Sequence, residues 1–293
     1  MTTSYYIHNI DPVILHIWGN LAIRWYGLAY IAGFFAGYAL LNRMAKQGSY
    51  PLGGEKLQAM FINLVIGVMA GGRLGYVLFY DFHRFVENPL IIVKLWEGGM
   101  SSHGGLIGLA LAIWYSSHKF KTSFLELSDG LVCVGPIGLF FGRLANFING
   151  ELWGRVTNVP WAVVFPQEAG IDPGVYGAKE SAIRLINQGL LSPRHPSQLY
   201  QAALEGIVVL TILLLFRKTA WGKQRGRLTG LFLILYAVVR TGSEFFREPE
   251  IVHFGWMTQG QMLSLLILLP AGLYFIARRQ AGDRVNSPPT GNT

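Results

Sequence analysis

Charge is scarce in this chain. Of its 293 residues only 14% are charged and 52% are hydrophobic, against about 25% charged in ordinary soluble domains. That balance excludes a solvated globular surface. Cysteine is nearly absent: Cys133 stands alone, inside an apolar run. A disulfide framework and a cysteine-based metal site are thereby excluded, and the thiol reads as a small buried hydrophobe. No Lys or Arg precedes Arg24, so no signal-peptide n-region is visible. The chain also lacks a His-Glu-x-x-His pair, an Asp-rich metal loop, a Walker-type loop and a Gly-x-Ser-x-Gly elbow. No metal, nucleotide or serine nucleophile is implied, and no cofactor is expected.

What the chain has instead is long apolar runs, with a mean hydropathy of +0.37. Several approach or exceed the roughly 20 residues that span a bilayer. The expected fold is an all-α membrane protein, a single polytopic domain over residues 1–293. Its seven transmembrane helices are placed at Leu21–Leu41, Leu57–Phe79, Gly104–Ser117, Leu125–Phe147, Leu199–Phe216, Leu228–Phe246 and Gln259–Ile276. The segment Pro89–Trp96 reads as interfacial or re-entrant. Glycine is abundant, 36 residues, which suits close helix packing in lipid. GxxxG spacings recur at Gly33/Gly37, Gly67/Gly71, Gly71/Gly75, Gly104/Gly108 and Gly138/Gly142. Simple packing is the default reading of each.

The loops carry their charge unequally. One set holds Arg43, Lys46, Lys56, Lys119, Lys121, Arg217, Lys218, Lys223, Arg225, Arg227, Arg278, Arg279 and Arg284, thirteen in all. The opposite set holds seven: Arg84, Lys94, Arg155, Lys179, Arg184, Arg194 and Arg247. The positive-inside rule then places the N-terminus outside and the C-terminus in the cytoplasm. The net charge of +8 collects on one membrane side and does not call for nucleic acid. The loop of residues 148–198 falls outside the cytoplasm as a small cap, and the polar tail 286–293 reads as flexible.

Polar residues inside such runs need a reason, because charge at membrane depth is costly and is paired or functional. Four arginines qualify. Arg24 and Arg73 lie toward the outer ends of their spans, where snorkelling competes with function. Arg143 lies in the segment Gly142–Gly154, which ends an apolar run with an arginine, two asparagines and a glutamate. Arg143, Asn146 and Gly150 share one face if that helix continues. Tyr236, Arg240, Glu244 and Arg247 are spaced by 4, 4 and 3 and share another. Arg240 and Glu244 make an i,i+4 pair, but Arg247 leaves an excess positive charge. Two facing stripes with unmatched arginines would bind an anion, and phosphate suits guanidinium forks. His103 stands in a glycine-rich turn where the third span begins, with Ser101 or Ser102 as a helix cap. It reads as a base or as a structural hydrogen-bonding group. Tyr26 follows Trp25 at the outer end of span one, where an aromatic belt is the default.

The segment Gly142, Arg143, Asn146, Phe147, Asn149, Glu151 and Gly154 resembles, without gaps, the signature of bacterial prolipoprotein diacylglyceryl transferases. Further blocks are similar: Gly71–Tyr80, Gly98–Leu106, Arg194–Tyr200 and Glu244–Arg247. The resemblance covers about Trp25 to Gly260. Gln201 departs from it, standing where a glutamate is expected after the tyrosine.

The resemblance implies a seven-helix bundle in the bacterial inner membrane with a periplasmic head. It implies transfer of the diacylglyceryl group of phosphatidylglycerol to the lipobox cysteine of a prolipoprotein signal peptide, leaving a thioether and glycerol phosphate. His103, Arg143, Arg240 and Glu151 form the expected catalytic set. Tyr26, Arg73, Asn146, Gly154, Tyr236, Glu244 and Arg247 form the expected substrate-binding set. His103 or Glu151 would take the thiol proton. Arg143 and Arg240 would stabilise the leaving phosphate. Whether Glu151 is a base or a salt-bridge partner stays open. A transporter for an anionic solute is the competing reading, but no two-half repeat is found and the polar residues cluster toward one membrane side. A purely structural scaffold leaves the charged stripes unexplained.

Overall fold

A computed structural model describes residues 5–18, 21–94, 98–249 and 251–278. The expected tail 286–293 lies outside the described residues. The chain is mostly helical. It begins with a short strand β1 (Tyr6–Ile7) and an antiparallel hairpin, β2 (Val13–Trp18) with β3 (Leu21–Arg24). Helices follow: α1 (Trp25–Lys46), α2 (Gly54–Tyr80), the short α3 (Phe82–Glu87), α4 (Ser102–Lys119), α5 (Phe124–Val132) and α6 (Gly135–Asn149). After α6 come a strand β4 (Val163–Val164) and α7 (Ala178–Asn187). The last long helices are α8 (Ser197–Phe216), α9 (Arg227–Ser243) and α10 (Gln259–Ala277), with strands β5 (Val252–His253) and β6 (Met257–Thr258) before α10.

Among the described residues three helices are long and apolar enough to cross a membrane: α2, α8 and α10. A fourth span results if α5 and α6 form one run broken at Cys133 and Val134. Helices α1, α4 and α9 coincide with three further expected spans but fall short of that length or hydropathy.

The expected first span is corrected at its start. Leu21–Arg24 is a strand of the hairpin and the helix begins at Trp25. The run is apolar but rich in β-branched residues (Val13, Ile14, Ile17, Ile23) and interrupted by Gly19-Asn20, a hairpin signature. Pro89–Val93 forms a 3₁₀ turn.

The contacts divide the chain into two compact units, residues 38–131 and the remainder. In the first, α2 and α4 pack backbone to backbone. A Cβ added to Gly108 would overlap the Gly67 carbonyl, and one added to Gly71 would overlap the Gly104 carbonyl. Gly75 meets the Gly104 Cα at 2.9 Å in the same construction. Small residues here admit the neighbouring helix, as the GxxxG spacing implies. A Cβ added at Gly138 or Gly142 meets nothing within 4 Å, although one added at Gly33 would lie 3.5 Å from the Gly138 Cα.

In the second unit α8 packs on α6 and α9. Its buried residues Gln201, Glu205, Val209 and Leu213 recur every four positions, all at 0% exposure. An α-helix advances about 100° per residue, so four residues overshoot a turn by about 40° and such a stripe drifts. The wider π-turn over Ala202–Val208 takes up the drift and keeps the stripe on one face. Gly206 allows the approach to α6: a Cβ there would lie 2.7 Å from that of Phe140.

Candidate active site

Glu205 is the centre of a buried ion network. Its two oxygens take different arginines from different helices. Oε2 accepts from Arg143 Nε of α6 at 3.1 Å, and Oε1 accepts from Arg240 Nη1 of α9 at 3.3 Å. Arg240 Nη2 reaches Glu244 Oε1 at 2.5 Å, and Arg247 Nη1 reaches the same oxygen at 3.4 Å. The arginines are therefore not unmatched, which corrects the reading from spacing alone. The guanidiniums of Arg143, Arg240 and Arg247 all meet the carboxylates of Glu205 and Glu244. The Tyr236 hydroxyl sits against Arg143. Arg143 finds no second carboxylate within 4 Å among the described residues. Of its five N–H donors, those beyond Glu205 and Tyr236 remain for a ligand.

Both helices end beside this network, and their ends shape it. α6 stops at Asn149, with Gly150 in the left-handed region at φ +63°. Gly150 N–H donates to Phe147 O and Glu151 N–H to Asn146 O, the two bonds of a Schellman closure. Gly150 thus does not continue the face of Arg143 and Asn146. The closure folds Glu151 back over the last turn, where Asn146 Nδ2 donates to its Oε1 at 2.7 Å and Asn149 Nδ2 at 3.5 Å. Glu151 makes no ion pair among the described residues. Tyr26, at the start of α1, presents its hydroxyl to Asn146 and Glu151. α9 stops at Ser243, and tightened bonds from Phe245 to Gly242 and from Phe246 to Ser243 turn the chain. Arg247 lies beyond the helix, paired in a β-bridge with Gly154.

Gly154 is a crossing point of three segments. Its N–H donates to His195 O at 2.9 Å, and a Cβ there would lie 2.5 Å from both His195 O and Phe246 O. Only glycine fits. The side chains around it fasten the loop. Arg194 clasps Glu168 with Nε at 2.6 Å and with Nη2, and its Nη1 donates to Gly154 O and Glu248 Oε2, each at 3.1 Å. The bond to Glu168 raises the guanidinium's proton affinity above its ordinary level. Ser197 Oγ and Gln198 Nε2 donate to the carbonyls of Leu152 and Glu151 at 3.1 and 2.6 Å. The block Arg194–Tyr200 therefore anchors the signature loop to α8.

The other two expected residues lie in the unit of residues 38–131. Arg73 is 4% exposed and turned inward. Its guanidinium donates to the carbonyls of Gly98, Gly99, Ile91 and Lys94. Four donors thus go to the loop before α4, which corrects the snorkelling expectation. Ser101 caps α4, its Oγ accepting from Gly104 N–H at 3.2 Å. His103, in the first turn, is exposed and has no hydrogen-bond partner among the described residues. It borders an apolar groove of about 570 Å³ between α2 and α4.

A family model described as prolipoprotein diacylglyceryl transferase matches residues 12–277. The chain belongs to the prolipoprotein diacylglyceryl transferase family. It is 43% identical over 291 residues to the phosphatidylglycerol–prolipoprotein diacylglyceryl transferase of Photorhabdus laumondii, covering 97% of this chain and 99% of the relative. It is 44% identical to the protein of that name from Pectobacterium atrosepticum, with 97% and 100% coverage, and 44% identical to that from Idiomarina loihiensis, with 89% of each covered.

Within this member of the transferase family the departure at Gln201 has a structural sequel. Gln201 is fully buried, its Nε2 facing Ser243 Oγ at 3.5 Å. The buried carboxylate of α8 is Glu205, one turn further on. Sequence reasoning missed it, although a glutamate inside the run 199–216 is as costly at membrane depth as an arginine. That cost was the available signal.

Proposed function

We propose that this chain transfers the diacylglyceryl group of phosphatidylglycerol to the lipobox cysteine of prolipoprotein signal peptides. The observation that carries the reading is the pair Arg143 and Arg240, joined by one buried carboxylate beside the signature loop. Family membership gives the pair its chemistry. In the step, the cysteine thiolate attacks the diacylglycerol carbon bonded to the phosphate oxygen. A sulfur–carbon bond forms, the carbon–oxygen bond breaks, and its electron pair stays on the phosphate as glycerol phosphate leaves. The arginine pair offers donors to that oxygen, and guanidinium contacts strengthen where water is scarce.

His103 is assigned to taking the thiol proton. Its ring is exposed and has no hydrogen-bond partner among the described residues, whereas Oε1 of Glu151 is already engaged by two asparagines. Glu151 and Asn146 hold the end of α6 in shape, with Tyr26 against them. Tyr236 and Glu244 set the orientations of Arg143 and Arg240, and Arg247 joins them through Glu244. Gly154 shapes the rim by letting the segments of His195 and Phe246 approach.

The proposed setting is the bacterial cytoplasmic membrane, crossed by seven helices, with the N-terminus periplasmic and the C-terminus cytoplasmic. The lysine and arginine bias of the loops supports that orientation. Residues 148–198 then form a periplasmic head over an active site on that side. Membrane lipids surround the rest. The test is reconstitution in phosphatidylglycerol vesicles with a lipobox peptide. A diacylglyceryl mass on the peptide cysteine is expected. Its absence with folded protein would overturn the reading.

A further inference from the structure

We infer that Arg73 is a positioning residue: its guanidinium braces the turn that carries His103 and acts on the reaction through that histidine. This rests on the transfer reading above, in which His103 takes the thiol proton. Arg73, Tyr76 and His103 all belong to the unit of residues 38–131.

Three observations carry it. First, Arg73 is 4% exposed, and a guanidinium so buried needs its donors matched. Nη1 donates to the carbonyls of Gly98 and Gly99, and Nη2 to those of Ile91 and Lys94, the last at 2.9 Å. The planar fork joins two stretches of the loop at once, which a lysine ammonium cannot do. Second, the loop is shaped to meet that fork. Gly98 and Gly99 both lie in the left-handed region, at φ +79° and +80°. A Cβ on Gly99 would overlap the ring of Tyr76, one turn beyond Arg73 on α2. Arg73 Cζ stands 5.8 Å from the centroid of that ring. Third, the brace continues into α4. Ser101 N–H donates to the carbonyl of Gly72, the neighbour of Arg73, at 2.9 Å. Ser101 Oγ then accepts from Gly104 N–H at 3.2 Å, and His103 lies inside that cap.

His103 has no hydrogen-bond partner of its own among the described residues, so its aim depends on the backbone that carries it. A general base must come within hydrogen-bond reach of its proton. A misplacement of about 1 Å can cost about a hundredfold in rate. Arg73 fixes the loop that would otherwise swing the ring.

Arg73→Lys keeps the charge and loses the fork. At about pH 7 its kcat should fall about tenfold or more, while KM for phosphatidylglycerol stays within about twofold. Above the ordinary thiol pKa of about 8.5 the peptide thiolate forms without a base. The deficit should therefore shrink to within about threefold at about pH 9.5. A merely structural arginine would leave the same deficit at both pH values. That result, or a parent-like kcat at pH 7, would overturn the inference.

Gly99→Ala decides the matter where Arg73→Lys does not fold. It leaves the arginine in place, presses the loop off Tyr76 and should give the same pH-dependent deficit. Parent-like turnover in it would overturn the inference. Hydrogen exchange needs no turnover. In Arg73→Lys the amides of Ser101 and Gly104 should exchange about tenfold faster than in the parent. Unchanged exchange would overturn the brace. An inactive parent chain would sink the transfer reading and leave the exchange measurement standing.

Discussion

Arg143 and Glu205 meet across two helices, Nε to Oε2 at 3.1 Å, with the carboxylate wholly buried. Neither residue is tolerable alone at that depth. An isolated charge there is heavily penalised, and breaking a buried pair from one side costs about 3–5 kcal/mol. Because Arg240 shares the same carboxylate, the contact ties α6, α8 and α9 together. The residues that would bind phosphate also hold the second unit in shape.

Glu205→Ala should therefore lower the unfolding free energy by about 3–5 kcal/mol, since it strands two guanidiniums. Thermal unfolding in detergent reads this. A stability equal to the parent's would mean that the ion network is not closed in solution.

Lysine should not replace either arginine. Arg143→Lys keeps a charge but loses the fork and the Nε donor that meets Glu205. A loss of about ten- to a hundredfold in kcat is expected. A lysine variant with parent turnover would show that charge alone suffices.

Gly154→Ala probes the crossing of three segments. Its Cβ would press on His195 O and Phe246 O, each at 2.5 Å. Overpacking of that kind costs about 1–3 kcal/mol. The melting temperature should fall and activity should fall with it. Full stability in the alanine variant would contradict the close approach.

The N-terminal segment should make stability pH-dependent. His8 is fully buried between Phe147 and Phe165, with Nδ1 at 2.8 Å from Gln167 Nε2. Desolvation lowers its proton affinity below the ordinary 6.5, and burial does the same at His195. The unfolded chain then binds protons that the folded chain refuses. The stabilisation is present above pH 6.5 and is lost as pH falls toward the lowered values. Melting curves from pH 7.5 to 5 should show the decline, and His8→Gln should flatten it. An unchanged slope in that variant would remove His8 from the cause.

Much of this was legible from the sequence. Apolar runs placed α2, α4, α8 and α10, and of the two serines read as a cap for α4 it is Ser101 that caps it. The expense of intramembrane arginine pointed at Arg143 and Arg240. Other features were hidden for physical reasons. The hairpin before Trp25 is an apolar run, and its β-branched residues and the Gly19-Asn20 pair set it apart from a span. The partners of Arg73 are backbone carbonyls 18 to 26 positions away, which cannot be seen as partners in a sequence. Gly154 needs two other segments, near His195 and Phe246, before its necessity shows. Glu205 was overlooked because the positive charges were weighed and the negative one among them was not.

The decisive measurement is lipid transfer by three proteins side by side: the parent chain, Arg143→Ala and Arg240→Ala. Each is reconstituted with phosphatidylglycerol and a lipobox peptide, and each is checked for folding by its melting curve. The parent should place a diacylglyceryl thioether on the cysteine and release glycerol phosphate. Both variants should lose at least about a hundredfold in rate while remaining folded. Parent-like rates in both folded variants would contradict the assignment of the arginine pair to the leaving phosphate.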